Sequence, residues 1–293
     1  MRNLTCVFDR QEEALVTLGF VGELLVKEFP YIVPSKGKFS FLPRLLGRAK
    51  VTLRIRRKGA VLPNNITIVA DGYTAPITAG NFVDLCMRGF YNGLPVKAMT
   101  KRIGPLSDQL SASINILGSY NEGFYDPLTA KLRRIPLEII RLEKGSGLPK
   151  LSYSSRGLSV SSLSDLSEES SMDVLPTENS KPLLTFDTPG IVAWNHPDRE
   201  SNSGSSEFFA VQSGSIKDDR RRLLDGEYAP FGYIIGGKDI YDSLRPGDII
   251  ESATVDEFGQ LNLVKLRKSS MKEAASAIEV AKLKSEKNDI YFS

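Results

Sequence analysis

"ITAGNFVDLCMRGFYNGLPVKAMTKR", residues 77–102, decides how this chain folds. Its first half reads as a helix. Thr78 can cap it, Phe82, Leu85 and Cys86 form an inward stripe, and Gly89 stops it. Its second half, from Tyr91, reads as a turn running into a strand that carries the cations Lys97, Lys101 and Arg102. The function turns on whether one of these polarises a substrate.

Outward from this stretch the period is mostly two. In "KVTLRIRRKG" (50–59), Val51, Leu53 and Ile55 face one way and Thr52, Arg54 and Arg56 the other, the pattern of a half-buried strand ending in a glycine turn. Arg54, Arg56, Arg57 and Lys58 read as the solvated outer face of an edge hairpin. "ITIVADG" (66–72) is the next strand. "RRIPLEII" (133–140), "PGIVAW" (189–194), "SEFFAVQ" (206–212), "APFGYIIGG" (229–237) and "GDIIESATV" (247–255) are further short strands. Many short strands with turn signals and few helices suggest a closed barrel or a sandwich.

Three segments break the pattern. Residues 9–29 read as one amphipathic helix, with Leu15, Leu18, Val21, Leu25 and Phe29 on one face and Pro30 ending it. Such a helix cannot bury its own face and needs a neighbour. Residues 145–182 are rich in serine and lack a sustained period, so they read as a mobile inserted loop. The tail, 269–293, suits a polar helix with a weak stripe of Met271, Ala274, Ala275, Ile278 and Ala281.

Composition excludes several classes. Apolar content of 41% and charged content of 25% are ordinary for a globular chain, and 293 residues suffice for a sizeable core. A net charge of +3 is too weak and too dispersed for nucleic-acid binding. The two cysteines, Cys6 and Cys86, form no disulfide framework or zinc spacing and read as buried apolar groups. A single histidine, His196, rules out a multi-histidine metal site, and no nucleophile turn lies near it. No cofactor or metal is expected. No run of about 18 apolar residues could span a membrane. The N-terminus lacks signal-peptide order, so the compartment is not legible from a targeting signal.

Four stretches in this order resemble the cyclophilin family of peptidyl-prolyl isomerases: "ITAGNFVDLCMRGFYNG" (77–93), "GIVAWN" (190–195), "SGSSEFFAVQ" (203–212) and "LLDGEYAPFGYIIGGKDI" (223–240). Two more, "LLGRAKVTLRI" (45–55) and "GFYDPLTAKLRRIPLEII" (123–140), resemble the plant and algal thylakoid-lumen branch, in which a helical bundle precedes the barrel. The resemblance implies a mainly β fold: an eight-stranded antiparallel cyclophilin-like barrel capped by two helices, with a partial N-terminal helical segment. The implied domains are a helical remnant at 1–46, the barrel at 47–268 with its serine-rich loop at 145–182, and a polar helical tail at 269–293. It also implies location in the chloroplast thylakoid lumen, proline-containing protein segments as partners, and thylakoid membrane complexes as further ones.

The family's reaction makes and breaks no covalent bond. Rotation about the peptide bond has a barrier of about 18–20 kcal/mol and is slow for Xaa-Pro. Catalysis must favour the twisted amide, whose nitrogen has become a better acceptor. An apolar pocket for the proline ring, donors for the flanking backbone and an aimed cation would serve. A millionfold acceleration requires roughly 8 kcal/mol of differential binding.

By resemblance, Phe209 is a pocket aromatic, with Phe208 beside it pointing into the barrel, and Leu224 is a pocket leucine. Glu207 stands where the family has an amide, Leu223 where it often has tryptophan, and Tyr228 where it has histidine. Trp194, Asn195 and His196 lie where the family holds substrate backbone, and Trp194 reads equally as groove wall or as core. Counted from Tyr91 and Gly93, the family's phenylalanine is Val96 and its catalytic arginine is Ala98. Lys97 is one residue off and would need a slipped register or a bulge to serve. Two functions follow from the resemblance. One is a weak prolyl cis-trans isomerase; the other is a chaperone or scaffold that has lost catalysis and holds proline-containing segments.

Overall fold

A computed structural model of the chain describes residues 39–265 except 40, 58, 60–62, 104–109, 128, 143–148, 153–182, 199, 215, 217–220 and 222–223, together with residues 10, 14, 17–18, 21–26, 29–30 and 33. It divides into two units, Met1–Ile32 and Val33–Ser293. In the first, Arg10, Ala14, Thr17, Leu18 and residues 21–24 are helical, in keeping with the periodicity of that segment. Leu18, Leu24 and Leu25 are exposed.

The second unit begins well before the expected boundary at residue 47. Phe39, Leu42 and Leu45 are already buried in its core. It contains β1 (Arg44–Leu45), β2 (Arg48–Arg56), β3 (Asn64–Asp71), α1 (Pro76–Met87), β4 (Lys97–Ile103), β5 (Leu110–Ile116), β6 (Tyr125–Asp126), β7 (Lys131–Leu132), β8 (Ile139–Leu142) and β9 (Pro149–Ser152). After the insertion come β10 (Ile191–Trp194), β11 (Phe208–Ala210), β12 (Ala229–Gly236), α2 (Lys238–Asp242), β13 (Ile249–Val255), α3 (Glu257–Asn262) and β14 (Leu263–Val264).

The fold is mainly β, a curled antiparallel sheet with few helices. Its principal sheet runs β11-β10-β12-β3-β2-β13. The β4–β5 hairpin attaches to both of that sheet's ends. Pro95 bridges Ile249 beside β13, and Leu117 bridges Phe208 of β11. Alternation in β2 works as its period predicts: Val51, Leu53 and Ile55 are fully buried, and Arg54 faces out to pair with Glu251 at 2.7 Å. However, β2 lies between β3 and β13 rather than at an edge, which corrects the edge-hairpin reading. A period-two pattern reports which face is dry and says nothing about neighbours in the hydrogen-bonding direction.

The helix α1 is buried on every side from Pro76 to Cys86. Gly80 is required there, because a Cβ would lie 2.5 Å from Arg44 Cα. Thr78 does not cap it. The cap residue is Ala75, with Pro76 in the first turn and no side-chain cap of its own. Glu138, remote in sequence, supplies the acceptor: its carboxylate takes hydrogen bonds from Ile77 N at 2.9 Å, Thr78 N at 2.9 Å and Thr78 Oγ1 at 3.1 Å. The orphan amides of the first turn are thus satisfied through tertiary structure.

The insertion also begins later than residue 145. Pro149–Ser152 pairs antiparallel with Ile139–Leu142, because the strand reading of 133–140 continues into a hairpin that serine-rich composition conceals. Residues 153–182 and 266–293, which carry the rest of the loop and the tail, lie outside the described residues. No described helix is long and apolar enough to cross a membrane.

Candidate functional site: a second apolar cluster outside the sheet

Alternation along β11 splits two adjacent phenylalanines. Phe208 joins the inner core, edge-on to Phe82 at 5.0 Å. Phe209 points the other way, into a separate cluster with Ile114, Ile116, Ala193, Leu224 and Tyr228. The strand-level expectation for this pair holds because neighbouring side chains of an extended chain take opposite faces.

Tyr228 meets the ring of Phe209 edge-on at 5.2 Å and stacks against His196 at 4.8 Å. The His196 ring nitrogens face Pro197 O at 2.9 Å and Glu227 O at 2.8 Å, which fixes the ring as a wall of the cluster. Burial, with Asp198 and Glu227 close by, pushes the Tyr228 phenol up, so it remains a donor. Phe209, Leu224 and Tyr228 are all buried, and Phe186 and Ile216 pack with them.

Not all the expected residues come together. Trp194 lies in the inner core, 5.7 Å from Phe231, on the opposite face from Phe209. The structure therefore places it with the core alternative. Asn195 and Glu207 do meet: Asn195 Nδ2 donates to Glu207 Oε2 at 2.6 Å. Leu223 lies outside the described residues.

The β4–β5 register sets which cation faces the cluster. Lys97 is opposite Ile116, Met99 opposite Ile114, and Lys101 opposite Ala112, while Ala98 is opposite Asn115. Directly opposed residues share a face. Lys97, Met99 and Lys101 therefore share the face of Ile114 and Ile116, which pack with Phe209. Ala98 shares that of Asn115, whose amide donates to Leu244 O at 2.9 Å. Lys97 Nζ donates to Ser119 Oγ at 3.0 Å. Lys101 is buried and donates to His196 O at 2.7 Å, with Asp198 Oδ1 at 3.4 Å.

Sequence reasoning named Lys101 among the cations of this strand but gave it no contact, and it missed the isoleucines of β5. A signal existed. Val96 is buried in the inner core, so simple alternation from Val96 turns Lys97, Met99 and Lys101 outward without any slipped register or bulge. Counting from the family motif to Ala98 hid that alternation.

Comparison with known proteins identifies the family of the chain. Residues 52–258 match the family described as "Cyclophilin type peptidyl-prolyl cis-trans isomerase/CLD". The chain is 32% identical over 251 residues to a candidate thylakoid lumen peptidyl-prolyl cis-trans isomerase of Synechocystis, covering 85% of this chain and 57% of that protein. It is 33% identical over 259 residues to the chloroplastic peptidyl-prolyl cis-trans isomerase CYP38 of Arabidopsis thaliana, covering 87% and 52%. The chain thus spans about half the length of the curated relatives it matches. Among solved structures, the cyclophilin AquaCyp293 of Hirschia baltica aligns with a TM-score of 0.38 at 16% identity, over 70% of this chain and 73% of that one. The match over residues 52–258 spans most of the chain, which therefore belongs to the cyclophilin-type peptidyl-prolyl cis-trans isomerase family.

Proposed function

We propose that this protein binds Xaa-Pro segments of other proteins in the cluster around Phe209, and that it is a weak peptidyl-prolyl cis-trans isomerase. The observation that carries the reading is the separation of Phe209, Leu224 and Tyr228 from the inner core, on a face that also carries Lys97. An apolar recess takes the proline ring and a cation on the same face stabilises the twisted amide nitrogen. The cluster around Phe209 and Lys97 on the same face are the candidates for these two parts. A lysine ammonium is a poorer partner here than a guanidinium fork, so weak turnover is expected.

Taken with the bridges at Pro95 and Leu117, the strand order reads as an eight-stranded closed barrel, β11-β10-β12-β3-β2-β13-β4-β5, with α1 as one of two capping helices. The recess lies on its outer face. Because the cluster is buried, an entering proline must displace neighbouring groups, of which Leu184 and Tyr233 are only partly buried. The names of the relatives support location in the thylakoid lumen. Thylakoid complexes are the source of proline-containing clients that this location offers.

A second reading, a holding protein that has lost catalysis, is favoured by Ala98 at the family's arginine position. Exchange NMR with an Ala-Pro peptide separates the two. Cis-trans exchange that is weakened by Lys97→Ala supports the isomerase. Binding shifts without exchange support the holding protein. Peptide binding that persists undiminished in Phe209→Leu would sink both.

A further inference from the structure

The groove differs from an amide-lined one in its hydrogen-bonding sign. Glu207 immediately precedes β11, and Asn195 N donates to its carbonyl at 2.9 Å, so the pairing continues to it and it shares the face of Phe209, about 7 Å away. An ionised carboxylate accepts and cannot donate. Glu207 is half-buried and held in place: Asn195 Nδ2 binds its Oε2 at 2.6 Å, and Asn195 N donates to Glu207 O at 2.9 Å. Among the described residues no cation pairs with it.

A second, independent feature points the same way. Asn195 is only 2% exposed, and its Oδ1 is buried without a partner among the described residues. The bond of Nδ2 to Glu207 fixes the amide orientation, so this orphan is an acceptor. A buried acceptor left unpaired is costly, and a donor-bearing ligand relieves that cost.

The cations on this face are already engaged. Lys97 binds Ser119, and Lys101 binds His196 O and Asp198. Glu227, next to Tyr228, is exposed and adds negative charge, while Glu200 follows Arg199 in sequence. The site therefore offers unspent acceptors at Glu207 and Asn195, beside cations that already hold partners.

We infer that Glu207, with Asn195, makes the groove select Xaa-Pro segments that carry a lysine or arginine within two residues of the proline. The inference rests on the groove assignment above and names its substrate class. A spacing of about 7 Å from the proline pocket corresponds to two residues of extended peptide.

Fluorescence anisotropy on the full chain tests it. Three labelled peptides share one Ala-Pro core and differ only in having Lys, Ala or Glu two residues from the proline. The wild type should bind the Lys peptide about tenfold more tightly than the Glu peptide at low salt, with the ratio shrinking as salt is added. Glu207→Gln should bring that ratio close to one, and Glu207→Lys should reverse it. A wild-type ratio near one, with all three peptides weakened by Phe209→Leu, overturns the inference and leaves the groove standing. A preference that survives in Glu207→Gln and Glu207→Lys also overturns it, because the charge is then read elsewhere. Binding of none of the three overturns the groove assignment, and this inference with it.

Discussion

Two parts of this molecule hold carboxylates against apolar walls, and they treat them oppositely. Beside α1, Asp84 meets Arg133 at 2.8 Å, Arg88 at 2.7 Å and Lys265 at 2.8 Å, and Asp126 meets Arg133 at 2.5 Å. Beside Phe209, the Glu207 carboxylate meets a neutral amide and no cation among the described residues, and Asp198, which meets Lys101, is 51% exposed. A fully buried charge must be matched, or it raises the energy of the fold. A charge at a half-open rim keeps enough water to survive unmatched. The matched set is therefore structural, and the unmatched one is where the proposed ligand contact falls.

Breaking the matched set should have the largest effect. Arg133 also donates to Asn81 Oδ1 at 3.0 Å, so it ties α1 to the β6–β7 hairpin. Arg133→Met leaves Asp84 and Asp126 buried and short of a partner, and should cost about 3–5 kcal/mol in denaturant unfolding. A loss below about 1 kcal/mol would mean that the network is dispensable, and the contrast with Glu207 would collapse.

The pH dependence sharpens the same comparison within the structural set. Burial raises the Glu138 carboxyl to about 7, against the pull of Thr78, Ile77 and Arg44. Its folded value lies above its unfolded one, so its stabilising contribution is complete below the ordinary value of 4.5 and is lost as pH rises through about 7. Thermal unfolding should show up to roughly 3 kcal/mol of lost stability between these limits, and Glu138→Gln should flatten that slope. Asp84 behaves oppositely. Burial works against its charge, but Lys265, Arg88 and Arg133 outweigh burial and hold its carboxyl below the usual 3.8. Its contribution is present above that value and disappears as pH falls through the lowered one. Stability should therefore decline toward both ends, with separate mutants flattening each limb.

On the groove side the expected energies are smaller and appear in function. Lys97 is exposed, so Lys97→Ala should leave the unfolding midpoint within about 0.5 kcal/mol of wild type while lowering peptide exchange severalfold. An unchanged exchange rate would transfer the role of cation to Lys101 or remove it altogether. The smallest effect belongs to Arg54→Ala. Its pair with Glu251 is exposed at 54% and 37%, and its loss should cost no more than about 0.5 kcal/mol.

Much of the fold was legible before any coordinates. The alternation of Val51, Leu53 and Ile55, the burial of Phe82, Leu85 and Cys86 in α1 and the opposed directions of Phe208 and Phe209 follow from strand and helix periods, which are local. The cap of α1 was not legible, because Glu138 lies 60 residues from Thr78 and nothing in either segment announces the other. The β8–β9 hairpin was hidden for a similar reason: the partner of Ile139–Leu142 begins inside a serine-rich stretch. At the site, Phe209, Leu224 and Tyr228 were found through motif order. The role of Lys101 depended on which carbonyl it reaches across 95 residues, and sequence spacing carries no such information.

By itself, then, the order of residues determined that this chain is mainly β, that its apolar faces fall where they do, and that a cyclophilin-type domain carries alanine and glutamate where the resemblance implies arginine and an amide. Those outcomes depend on side-chain period and residue chemistry, which act over a few positions. Only the tertiary structure decided that Ile116 is the residue opposite Lys97, that Trp194 belongs to the core, and that Asn195 clamps Glu207. Each of these is a pairing between distant segments. The free energy of such a pairing comes from burying both partners together, so neither segment encodes it alone.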